Sequence, residues 1–189
     1  MARVPYLTID QLGIEDQPLM SRPTFHLQQA LANHPSAFRQ FAHIGLWFRN
    51  EGVLPARLRE LSILAVAYAL GNGYEFSHHL KVSKEFGVTS GDVNAVTNEH
   101  KGELSGLIAH ERAALEAARQ LTMDGEIREA TWDEVASGLD IKQCVEFVLL
   151  ISFYNHFARV MAGLEVELEA EYALLLKDYP PPPEYDEWR

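Results

Sequence analysis

The stretch from Glu60 to Gly87, ELSILAVAYALGNGYEFSHHLKVSKEFG, constrains this chain more than any other. Leu58, Leu61, Ile63, Leu64, Val66 and Tyr68 cover almost every face of a helix that runs to Leu70, so that helix must be buried against several neighbours. Gly71-Asn72-Gly73 breaks it, and a second helix follows over about Tyr74–Phe86, ending at Gly87, a natural residue for a helix C-terminus. Among the polar residues inside this apolar frame are Glu60, Glu75 and His79. Glu75 and His79 are four residues apart and stack on one helix face. Buried carboxylates beside an imidazole are costly unless paired, and such surroundings move pKa values toward those useful for proton transfer.

The rest of the chain also reads as helix, which makes the fold class all-α. Residues 1–22, with Pro5 and Pro18 and followed by Pro23, read as an arm lying on the body. Helices are expected over Thr24–Ala32, Ser36–Arg49 and, with Pro55 in the first turn, up to Leu70. Thr89…Asp92, Thr131…Glu134 and Asp140…Gln143 have the spacing of capping boxes. A long amphipathic helix is expected over Leu104–Met123. A final one should run from Ile141 toward Leu175, kinked at Gly163. Residues 177–189, with Pro180–Pro183, read as an extended tail on a single domain spanning 1–189. Glu60…Tyr68 and Glu146…Tyr154 share an acid, an apolar run and a tyrosine eight positions on, a weak internal pseudo-repeat.

Charge and composition exclude several functions. With 189 residues, 47% of them hydrophobic, the chain can bury a sizeable core. A net charge of −11, with 16 scattered Lys and Arg, repels a nucleic-acid backbone. The N-terminus lacks the pattern of a signal peptide, and the apolar run Phe147–Ile151 is too short to span a bilayer; a cytoplasmic location away from membranes is the default. The single cysteine, Cys144, excludes an intramolecular disulfide and a CxxC redox pair, and its apolar neighbours suggest burial.

Each candidate site residue has a functional and a plainer reading. Glu75 and His79 suit a general acid/base pair. Alternatively, Asn72 caps the helix, Glu75 sits at its third position for structural reasons, and His79 is an i,i+4 partner. Glu60, flanked by Arg57 and Arg59, reads first as a helix-surface ion pair. His78 points about 100° away from His79, toward solvent or an interface. Arg159, in the polar island Tyr154-Asn155-His156-Phe-Ala-Arg159, suits a substrate carboxylate or a buried salt bridge with Glu60 or Glu146. Glu75, His79, Glu60 and His43 offer metal-ligand chemistry without a clear third ligand, so no metal is assigned.

The same residues resemble the carboxymuconolactone decarboxylase family, within the alkylhydroperoxidase D-like superfamily. The resemblance is carried by His34-Pro35, by Leu58-Arg59-Glu60-Leu-Ser-Ile-Leu-Ala, by Tyr74-Glu75-Phe-Ser-His-His79 and by Gly87-Val88-Thr89. One branch of that superfamily carries a Cys-x-x-Cys redox pair, whose positions fall here on Asn72 and Glu75, so thiol peroxidase chemistry is disfavoured. The decarboxylase branch carries Tyr-Glu-x-x-x-His, which Tyr74, Glu75 and His79 reproduce.

The resemblance implies an alkylhydroperoxidase D-like helical bundle assembled as a homotrimer or hexamer. It also implies cofactor-free decarboxylation of an unsaturated lactone acid or related carbon acid. His79 is then the proton donor, Glu75 its orienting partner and Glu60 a second acid or relay. Tyr74, Arg159 and Asn72 become the substrate contacts. Phe41, Trp47, Tyr68, Tyr74 and Phe76 would suit a larger, less polar substrate. The competing class is a non-catalytic oligomer that binds a small molecule in the same pocket.

Overall fold

The computed structural model describes residues 1–20 and 24–189. Ser21 and Arg22, the end of the expected N-terminal arm, and Pro23 lie outside the described residues. Regular structure among the described residues is helical throughout. It comprises α1 (His26–Leu31), α2 (Pro35–Asn50), α3 (Ala56–Ala69), α4 (Gly73–Val82), α5 (Ser90–His100), α6 (Ala109–Met123), α7 (Glu129–Ser137), α8 (Ile141–Leu164) and α9 (Ala170–Ala173), with short 3-10 turns between. The chain forms two compact units, one of Met1–Gly52 with Arg159–Ala170, the other of Val53–Ala158 with Glu171–Arg189.

In the first unit the N-terminal segment is more ordered than a plain arm. Two 3-10 turns, Ile9–Gln11 and Gln17–Leu19, let Leu12 and Met20 pack with Ala32 and Phe38. The segment also explains where α8 stops. The Arg3 amide donates to Leu164 O at 2.9 Å, and Arg3 Nη1 donates to Gly163 O at 2.9 Å. These bonds satisfy carbonyls that a helix end leaves open. Glu165 then takes a left-handed φ of 51°. The expected kink at Gly163 is therefore a helix end, and the helix does not continue to Leu175.

The second unit is built around α3, which packs against α4, α5 and α6. Every residue from Leu58 to Ala69 is buried, as its all-round apolar pattern requires. The capping boxes at Thr89/Asp92 and Asp140/Gln143 form, with Thr89 N donating to Asp92 Oδ2 at 2.8 Å and Gln143 N to Asp140 Oδ1 at 2.9 Å. The third does not: α7 starts at Glu129, and Thr131, inside it, accepts from Gln120 Nε2 at 3.1 Å. Helix α6 starts at Ala109 rather than Leu104. The Glu99 carboxylate holds the preceding loop by accepting from Ser105 Oγ (2.6 Å) and Arg112 Nε (2.7 Å).

Helix α8, at 24 residues, is long and apolar enough to cross a membrane by length and composition alone. Its buried Glu146, however, accepts from the amides of Val53 (2.6 Å) and Leu54 (3.1 Å), which ties it to the loop before α3. The second acid of the internal echo is thus committed to backbone donors.

The tail is not a free extension. The Arg189 amide donates to Gly71 O at 2.7 Å, and Gly73 N donates to Arg189 O at 2.9 Å. Trp188 stacks on Phe76 with centroids 5.0 Å apart and meets Tyr68 edge-on at 5.7 Å. Gly71 has φ 60°, and a Cβ there would meet the Tyr185 ring at 2.5 Å, so the turn and the tail fit only around glycine.

Candidate functional site

The turn between α3 and α4 builds the site. A connection this short makes the two helices antiparallel neighbours. Asn72 then sets the register of α4: its Oδ1 accepts from Glu75 N at 2.9 Å, and its amide donates to Ala158 O at 3.5 Å. Asn72 is therefore the cap of α4. The capped first turn holds Glu75 and, one turn on, His79 on the side of α4 that meets Glu60 of α3.

His79 lies between two carboxylates. Its Nδ1 is 2.8 Å from Glu60 Oε2, within hydrogen-bonding distance, while its Nε2 is 3.5 Å from Glu75 Oε2, a charge contact. Glu60 is 2% exposed, Glu75 4% and His79 8%. Glu60 is consequently not part of a surface ion pair. Arg57 points elsewhere, to Asp92 at 2.8 Å and Glu111 at 3.4 Å. The buried Arg59 does reach back to Glu60, with Nε donating to Oε1 at 3.1 Å, and its guanidinium lies 4.6 Å from the centre of the Phe86 ring.

The two carboxyl groups are driven apart. Burial pushes Glu60 up, but the hydrogen bond and charge of His79, with Arg59, outweigh it and hold the group below its ordinary 4.5. Among the described residues Glu75 has no comparable hydrogen-bond donor. Burial, reinforced by the Glu60 charge and only partly offset by His79, raises it to about 7. One acid is thus ionised and the other poised to exchange a proton near neutrality.

The remaining candidates fall as follows. The Tyr74 ring stacks on His78 at 4.5 Å, and His78 stacks in turn on Tyr172 at 3.8 Å, so His78 fills a ring sandwich rather than facing solvent. Tyr68 and Phe76 turn toward Trp188. Arg159, Phe41 and Trp47 belong to the first unit. The side chain beside His79 that sequence reasoning missed is Tyr154, which meets the imidazole edge-on at 5.3 Å. Its place in a polar island of an apolar helix was the available signal. Of the two arginines expected to pair with Glu60, Arg59 does so, but in the interior rather than at the surface.

The carboxylates approach opposite nitrogens of one ring, so the three side chains do not converge on a point. Among the described residues no group of three His, Cys, Asp or Glu is arranged to hold a metal ion. Cys144 is a buried free thiol, as its sequence context implies.

Residues 32–120 match the model of the carboxymuconolactone decarboxylase family. The fold is shared with an uncharacterized peroxidase-related protein of Ralstonia eutropha JMP134 that has an alkylhydroperoxidase AhpD core. That match has a TM-score of 0.77 and 18% identity, covering 95% of this chain and 97% of the other. A protein of unknown function from Agrobacterium tumefaciens, described in connection with AhpD and antioxidant defence, gives a TM-score of 0.65 and 17% identity over 74% of this chain and 95% of its own. No curated protein matches the chain by sequence.

Proposed function

The chain carries a domain of the carboxymuconolactone decarboxylase family, and from that premise we propose that it is a cofactor-independent carboxy-lyase acting on an unsaturated lactone acid or related carbon acid. The observation that carries this reading is the buried imidazole held between an ionised carboxylate and one that titrates near neutrality. In such a reaction the bond from the substrate carbon to its carboxylate breaks and carbon dioxide leaves. The electron pair passes into the conjugated lactone carbonyl as an enolate, and a proton is then delivered to carbon.

Glu60 accepts a hydrogen bond from the Nδ1–H of His79, so in the imidazolium the Nε2 proton is the one left for delivery. His79 Nε2 protonates the carbanion, and Glu75, facing that nitrogen, resupplies the proton. The geometry therefore favours Glu60 over Glu75 as the orienting partner. Tyr74 and Asn72 are the proposed substrate contacts of this unit, on the strength of the family resemblance. We assign no cofactor or metal, a cytoplasmic location, and a homotrimeric or hexameric state. Ile141, Val145 and Leu149, exposed by 83%, 58% and 51% at i,i+4 spacing along α8, support self-association.

A thiol peroxidase reading fits poorly, because Cys144 is buried and has no second cysteine in the chain. The enclosure of Glu60, Glu75 and His79 favours, as a second reading, a non-catalytic ligand-binding oligomer. The deciding experiment follows carbon dioxide release and lactone absorbance with carboxymuconolactone. Turnover by wild type that is lost in His79→Ala supports the lyase. If neither protein turns over this substrate or bulkier lactone and keto acids while both remain folded, the lyase reading fails and the binding reading stands.

A further inference from the structure

We propose that the cleft between the end of α4, the start of α5 and the C-terminal segment binds a small apolar molecule carrying one carboxylate. The cleft measures about 400 Å³, within the usual range of about 300–1,000 Å³ for small-molecule sites. None of Glu60, Glu75 or His79 lines it, so the proposal is independent of the decarboxylation reading.

Its wall is apolar along Leu80, Val93, Leu174 and Leu175. Lys81 and Lys84 stand at it as well. The chain has far more acids than bases, with 27 Asp and Glu against 16 Lys and Arg, yet this cleft collects two lysines against the single acid Asp178. Neither lysine forms an ion pair among the described residues; Lys81 instead lies 5.4 Å over the Tyr172 ring. Two lysines against one acid beside an apolar concavity make a complement to an apolar acid.

The test is calorimetric titration of the full chain with octanoate and with octanol, which share the apolar tail and differ in charge. Octanoate should bind at least about tenfold tighter than octanol, the scale of one or two charge contacts at a partly exposed site. In K81Q/K84Q, two exposed positions whose exchange should leave the helical circular dichroism unchanged, that preference should vanish while octanol binding persists. Leu175→Trp, which fills the cleft, should weaken both ligands. Equal binding of the two ligands by wild type, no binding of octanoate, or a preference that survives in K81Q/K84Q would overturn the proposal.

Discussion

His79 Nδ1 and Glu60 Oε2 lie 2.8 Å apart although 19 positions separate the two residues in the chain. The contact joins the middle of α4 to the first part of α3 and fixes which ring nitrogen remains for chemistry. His79→Ala is expected to lower turnover by about 10²–10⁴-fold, the usual contribution of a positioned acid or base, with the helical circular dichroism retained. Retained turnover would remove His79 from the mechanism.

Glu60→Gln removes the anion that both Arg59 and His79 bind. Breaking a buried charge pair from one side costs about 3–5 kcal/mol, so a urea midpoint well below that of wild type is expected. A stability change under about 1 kcal/mol would show that the cluster is wetter than its burial implies.

Glu75 makes a pH-dependent contribution with an unusual sign for a carboxyl group. Its folded pKa of about 7 lies above the ordinary 4.5, so between those values the folded state holds the proton more tightly than the unfolded state. The associated stability is complete below the unfolded pKa and is lost as pH rises through about 7, by a few kcal/mol in order of magnitude. Glu60 acts oppositely, losing its contribution only as pH falls through its depressed pKa. Thermal melts at about pH 5 and about pH 8 should therefore differ more for wild type than for Glu75→Gln. If Glu75 must be protonated to reload His79, turnover should also decline above about pH 7.

Trp188 stacks on Phe76, and its Nε1 donates to Tyr179 O at 3.0 Å. Trp188→Ala should destabilise the protein by about 2–4 kcal/mol, at or below the range for fully buried aromatic truncations, because the ring is only half-buried. Urea unfolding gives the value. A loss under about 0.5 kcal/mol, the scale of a neutral surface substitution, would mean that the tail does not hold the α3–α4 turn in solution.

Cys144 is 7% exposed. It should react with an aromatic disulfide reagent only on unfolding, and Cys144→Ser should leave any hydroperoxide turnover unchanged. Loss of such turnover in that variant would reopen thiol chemistry.

Much of this molecule is decided by local pattern. The all-round apolar face of α3, the Gly71-Asn72-Gly73 break, the stop at Gly87 and the boxes at Thr89 and Asp140 need only helical periodicity and the needs of open backbone groups. The i,i+4 pairing of Glu75 with His79 belongs to the same class. Other features required partners distant in sequence. Helix α8 stops at Leu164 because Arg3 takes its last carbonyls. The tail closes on the turn because Gly71 and Gly73 leave room for Tyr185 and Trp188. The pairing of Glu60 with His79, the entry of Arg59 and Tyr154, and the unequal protonation of two chemically identical carboxyl groups also arise only in the packed unit. Periodicity says which side of a helix is buried; packing decides which nitrogen meets which oxygen, and how far burial carries a proton's affinity from its value in water.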